Sequence, residues 1–161
     1  MNADEVLAVH GGLAAEGVPV WIDGGWCVDA LLGRQTREHA DLDLAVGREH
    51  AERLDDVLAR LGYRPLSRQD TTDWNYVVAG SGGTVDVHVF AFDDQGAHTY
   101  GIAYPRDSLT GTGVIAGQEV RCIAAEHMFR FKTAYPPQAK DLQDVHALGE
   151  RYGFTIPPTH T

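Results

Sequence analysis

An α+β domain is predicted by three features of this 161-residue sequence. Helical apolar periodicity opens and closes the chain, strand-like alternation fills its middle, and 43% hydrophobic content is enough for one core but not two comfortable ones. The expected organisation is a single domain, with a core over about 1–123, C-terminal helices over about 124–152 and a loose tail over 153–161. A mixed sheet flanked by helices would carry the core.

Val6, Leu7, Val9, His10, Leu13 and Ala14 recur at spacings of three and four, an amphipathic helix over residues 3 to about 16 that Gly17 stops. Val18 to Ile22 reads as a short buried strand, with Pro19 tolerable only near its start. After Gly24-Gly25, Trp26 to Leu32 has helical composition and ends at Gly33. Leu42, Leu44 and Val46 alternate with Asp41 and Asp43, so this strand has one apolar face and one carboxylate face. Leu54, Val57, Leu58 and Leu61 mark a helix over 49–61, closed by Gly62. Tyr63–Ser67, Trp74–Ala79 and Thr84–Phe92 read as strands between polar turn clusters. Residues 93–113, rich in Gly, Asp, Pro and Thr, show no regular period and read as either a substrate loop or a connector. Val114–Ala116 and Glu119–Ile123 suggest a hairpin, and helices near 124–134 and 138–151 are separated by Pro136-Pro137.

Composition removes several function classes. Cys27 and Cys122 cannot build a disulfide framework, and there is no Cys-x-x-Cys pair for zinc. With an acidic, polar N-terminus and no run near the roughly 18 apolar residues of a membrane span, the expectation is a cytoplasmic protein away from the membrane. A formal charge of −10 disfavours long nucleic acid, because phosphates would be repelled. The same charge suits a cationic small molecule or metal ions, and equally simple solubility.

Asp41 and Asp43 must point the same way, and such a pair costs stability unless a cation or hydrogen-bond donors neutralise it. Asp86 lies on a second alternating strand, Val85-Asp86-Val87-His88-Val89. A neighbouring strand would bring it to the pair, giving three hard oxygen ligands for magnesium, and such a cluster can hold two ions for nucleotidyl transfer. Gly24-Gly25, between a strand and a helix, lets the backbone approach a ligand and presents free N–H groups to an anion. Arg34, Arg37 and His39, just ahead of the aspartate strand, are placed to reach triphosphate oxygens or to lie in a solvated loop.

The order Gly-Gly, Asp-x-Asp on a strand and a lone Asp on a later strand resembles the polymerase-β-like nucleotidyltransferase fold. From Trp21-Ile22-Asp23-Gly24-Gly25-Trp26 through Arg34, Arg37 and His39 to Asp41-Leu42-Asp43, the chain is similar to the small antibiotic nucleotidyltransferases, above all the short lincosamide type and next the aminoglycoside 2″-type. Val85–His88, Asp93-Asp94-Gln95-Gly96, Arg121–Ile123 with Glu126, and Lys140-Asp141 with Asp144 extend the resemblance along most of the chain. It implies magnesium-dependent transfer of an adenylyl group from ATP to a drug hydroxyl, with pyrophosphate leaving. Asp41 and Asp43 carry over as metal ligands, and Asp86 as a third ligand or the general base. Asp29 matches an acidic position of the signature, and with His88, Tyr100, Glu126 and Lys140 it is placed on the substrate side, each with a structural alternative. Trp26, Trp74 and Tyr100 would line a drug pocket or fill the core. The resemblance also implies a homodimer. Other readings are a toxin-type nucleotidyltransferase acting on a cellular target and a catalytically silent nucleotide- or drug-binding protein.

Overall fold

Alternation along the sequence becomes adjacency in one eight-stranded mixed sheet. A computed structural model, which describes all residues from Met1 to Thr161, orders the strands β3-β4-β5-β2-β1-β8-β7, with β6 paired to β5. These are β1 (Val20–Asp23), β2 (Asp41–Gly47), β3 (Arg64–Leu66), β4 (Asn75–Gly80), β5 (Gly83–Phe92), β6 (His98–Gly101), β7 (Gly111–Ile115) and β8 (Gln118–Cys122). The central strand β2 runs antiparallel to β1 and parallel to β5.

Five helices accompany the sheet: α1 (Ala3–Ala15), α2 (Gly24–Leu32), α3 (Ala51–Arg60), α4 (Ala125–Thr133) and α5 (Ala139–Tyr152). The α1 start is fixed by a capping box, in which Asn2 accepts the Glu5 N–H and Glu5 reaches back to the Asn2 N–H. Ile22, Leu42, Leu44, Val85 and Val87 are fully buried and share one core cluster with Val6 and Leu13 of α1 and Leu54 and Leu58 of α3. Burying each such side chain stabilises by about 1.5–3 kcal/mol. The core is thus anchored on one face of β2 and β5; the opposite face carries Asp41, Asp43, Asp86 and His88 at one end and buried Ala45 and Phe90 further along.

Two stretches differ from the sequence reading. Residues 93–113 are not irregular throughout: β6 pairs with the end of β5 across a bulge at Ala91/Phe92, and a 3-10 turn over Arg106–Thr110 leads straight into β7. Elements of four and five residues are too short to show a period. The tail is held as well. Pro158–His160 forms a 3-10 turn, His160 is buried, its Nε2 lies 3.2 Å from the Lys132 carbonyl, and His146 Nε2 lies 2.8 Å from the His160 carbonyl. No helix is long and apolar enough to cross a membrane.

Candidate active site

Pairing register builds the site. Asp23 of β1 stands opposite Asp43 of β2, and Asp43 stands opposite Asp86 of β5, so three aspartates form a row across adjacent strands. Asp41, two residues before Asp43, pairs with Thr84 on the same strand face.

The Gly24-Gly25 turn is shaped by what approaches it. Asp23 caps α2, its Oδ1 accepting the Gly24 N–H at 2.7 Å. Gly24 has φ +59°, and a Cβ there would fall inside the Asp43 carboxylate. A Cβ at Gly25 would meet Arg37 Nη2 and His39 Nδ1, each at 2.5 Å. The two glycines therefore admit Asp43 on one side and the Arg37–His39 segment on the other.

Asp43 accepts no hydrogen bond from the protein. Burial, then the charge of Asp23, pushes its carboxyl up to about 7, with Asp41 and Asp86 adding to the rise and His88 opposing it. Burial also raises Asp86, against the pull of Arg68. The Asp86 Oδ2 lies 3.4 Å from Arg68 Nη1, and its Oδ1 is buried without a partner. As placed, the carboxylates do not close into a group of three around one point. Their chemistry nonetheless fits a hard divalent cation: oxygen donors on one face, one of them orphaned, with a repulsion that a positive charge would relieve.

Asp23 is different. Burial would raise it, but His88, the Tyr104 hydroxyl and the Gly24 N–H outweigh burial and hold it below the ordinary carboxylate range. The Tyr104 hydroxyl donates to Asp23 Oδ2 at 2.6 Å, and His88 Nδ1 lies 3.3 Å from that hydroxyl and 3.7 Å from the same carboxylate oxygen. The carboxylates raise the His88 imidazole although burial lowers it.

Two small cavities open onto the row. One, of about 300 Å³, is lined by Gly25, Arg37, Asp41, Lys140 and others; the second, of about 260 Å³, by Asp23, His88, Met128 and Phe131 among others. Gly24, Asp43, Lys132 and Tyr135 belong to both walls, so the pair forms one divided cleft. A larger hollow of about 650 Å³, around His10, Val18 and Glu119, contains none of these carboxylates. Size does not mark the site here; convergent charge does.

The structure sorts the expected site residues. Asp41, Asp43, Asp86, Gly24, Gly25, Arg37, His88 and Lys140 come to the cleft or its row. Arg37 is also committed to the fold, donating to buried Asp144 from Nε at 3.0 Å and Nη2 at 2.9 Å. Asp29 and His39, expected at substrate and phosphate, instead face each other in the interior. His39 Nε2 lies 2.5 Å from Asp29 Oδ2, while Asp29 Oδ1 accepts the Thr36 N–H at 3.0 Å and its hydroxyl at 2.6 Å. Neither lines the cleft, because their partners clasp the loop between α2 and β2. Arg34 is exposed on that loop and makes no side-chain bond. Tyr100 lies on β6 under Arg48, 4.0 Å from the guanidinium, and Glu126 pairs with Arg130 one turn along α4; neither lines the cleft. Trp26 fills the core against His39, and Trp74 packs against that core.

Sequence reasoning missed Asp23, Tyr104, Lys132 and Tyr135. Asp23 carried a signal, a capping residue directly before the glycines. Lys132 bonds Asp144 at 2.9 Å and Asp141 at 3.3 Å, and Tyr135 donates to Asp141 at 3.0 Å, contacts between helices that no local pattern announces.

A Gly-Gly helix start beside carboxylates in register on neighbouring strands suits nucleotidyl transfer. The match to solved structures agrees: a crystal structure of ANT(2″)-Ia in complex with adenylyl-2″-tobramycin superposes with TM-score 0.76 at 26% identity, covering 92% of this chain and 88% of the other. Lincomycin-bound LnuA shares the fold, with TM-score 0.78 at 23% identity over 90% of this chain and 94% of that one. The chain belongs to the aminoglycoside-2″-adenylyltransferase family, whose model matches residues 5–148. A 2″-aminoglycoside nucleotidyltransferase of Escherichia coli is 33% identical over 147 residues, 85% of this chain and 80% of the relative. A lincosamide resistance protein of Staphylococcus haemolyticus is 28% identical, covering 81% and 84%.

Proposed function

We propose that this nucleotidyltransferase transfers an adenylyl group from ATP to a hydroxyl of a small antibiotic. The observation that carries the reading is the register of Asp43 with Asp86 beside the Gly24-Gly25 helix start. Asp41, Asp43 and Asp86 would hold magnesium, one ion or two, which when bound would neutralise triphosphate charge. The free N–H groups at the start of α2, with Arg37 and Lys140 in the same cavity wall, suit the phosphates. In the reaction an acceptor oxygen bonds to the α-phosphorus as the α–β anhydride breaks, pyrophosphate leaves, and the hydroxyl proton passes to a carboxylate of the row. Asp86 would take it if it faces the acceptor hydroxyl rather than a cation, because burial raises its basicity and a bound cation would lower it. Most of the rate would come from holding the reactants together and from fixed charges.

The second cavity bears on the acceptor. Met128 and Phe131 give it an apolar wall beside His88 and Lys132, and this suits a lincosamide, with its alkylated body, better than a drug bearing many ammonium groups. Aminoglycosides are the second reading, favoured by the family and by the 33% identical relative. Both cavities are small for a nucleotide and a drug together, and a homodimer in which a second copy completes the walls belongs to this proposal; a monomeric mass at assay concentration would contradict that part. Incubation with ATP, magnesium and panels of lincosamides and aminoglycosides, read by mass spectrometry, should show a drug gaining AMP. The absence of an adduct with every drug would sink the proposal.

A further inference from the structure

Asp86 is met by an arginine that the chemistry above leaves unused. Arg68 lies on the loop between β3 and β4, and its guanidinium reaches back to the carboxylate row. Its backbone is pinned in a turn: the Arg68 N–H donates to Thr71 Oγ1 at 2.8 Å, and the Thr71 N–H donates to the Arg68 carbonyl at 3.2 Å. The side chain beyond that turn is 43% exposed and touches Asp86 through one stretched contact of 3.4 Å.

The buried acids Asp144 and Asp23 are bound differently. Asp144 holds Arg37 and Lys132 at 2.9 Å, and Asp23 takes donors at 2.6 and 2.7 Å. Asp86 has one loose cation on Oδ2 and nothing on buried Oδ1. An ion pair whose cation lies exposed is weak, and only side-chain rotation is needed to undo it. A divalent ion brings twice the charge to the same oxygens and repels a guanidinium beside it.

We infer that Arg68 is an internal counter-ion of Asp86 that competes with the divalent cation for this carboxylate, so that metal loading frees the Arg68 side chain. The inference rests on the metal-binding reading of Asp43 and Asp86, and the test separates the two. Manganese binding to the full chain, without nucleotide or drug, is titrated by the loss of its free-ion paramagnetic resonance signal at fixed pH and ionic strength. Arg68→Ala should bind manganese about two- to fivefold more tightly, the range an exposed pair allows. Arg68→Lys, which keeps the charge, should stay closer to the wild type. Asp86→Asn should weaken binding, and adding Arg68→Ala to it should change nothing further. Unchanged or weaker manganese binding in Arg68→Ala, with Asp86→Asn still weakening it, would overturn the competition while leaving the metal site standing. Wild-type binding in both Asp43→Asn and Asp86→Asn would overturn the metal site and the competition with it.

Discussion

Asp29 and Asp43 lie fourteen residues apart on opposite sides of one loop, and the fold treats them oppositely. Asp29 receives His39 and both donors of Thr36 within 3.0 Å. Asp43 receives none, and burial with neighbouring charge lifts its carboxyl to about 7. A carboxylate with its donors in place ties chain segments together. One without them is positioned by the strand alone and strains the fold while ionised, until a cation arrives. Asp144 belongs with Asp29, and Asp86 with Asp43. The contrast separates scaffold from site among acids that look alike in the sequence.

Substitutions should separate the two groups further. The largest effect on chemistry is expected for Asp43→Asn, which should lower adenylyl transfer by about 10²–10³-fold or more, as for loss of a principal electrostatic group. Its circular dichroism should match the wild type. Asp29→Ala should instead act on stability, costing roughly 2–4 kcal/mol in denaturant unfolding because His39 and Thr36 lose a buried partner. The surviving folded fraction should keep near-normal turnover. Tyr104→Phe lies between the groups: loss of one hydrogen bond should cost about 1 kcal/mol. Asp23 would lose a donor that lowers its carboxyl, so its titration, followed by carbon NMR, should move upward. Arg34→Ala, on the exposed loop, should stay within about 0.5 kcal/mol of the wild type and leave transfer unchanged.

How much of this was legible follows from which interactions leave a periodic trace. Asp41, Asp43 and Asp86 were readable because strand alternation fixes the face, and Gly24-Gly25 because glycine between a strand and a helix lets a ligand come close; that the Asp43 carboxylate comes against Gly24 is a tertiary outcome. That Asp86 joins the pair was also expected; the register that sets Asp43 between Asp23 and Asp86 was not readable, because register is a tertiary outcome. Asp29 and His39 looked like site residues because they sit inside the signature; their pairing runs through a loop with no period. Tyr104 lies between a four-residue strand and a 3-10 turn, in a stretch where alternation never has room to show. Lys132 and Tyr135 join the cleft only when α4 and α5 pack, and their sequence context is that of ordinary helix-end residues.

Stability against pH tests the contrast most directly. A folded-state carboxyl raised from 3.8 to about 7 makes stability fall as pH rises through that window, since the folded chain retains a proton the unfolded chain has lost. Asp43→Asn removes this cost, which reaches at most about 4 kcal/mol by the upper end. Denaturant unfolding of wild type and Asp43→Asn, at pH values from below 4 to about 8, should therefore show the variant gaining on the wild type as pH rises. Millimolar magnesium should shrink or reverse that advantage at the alkaline end. A constant difference at every pH, with no response to magnesium, would contradict the view that Asp43 is a carboxylate left unsatisfied for a cation.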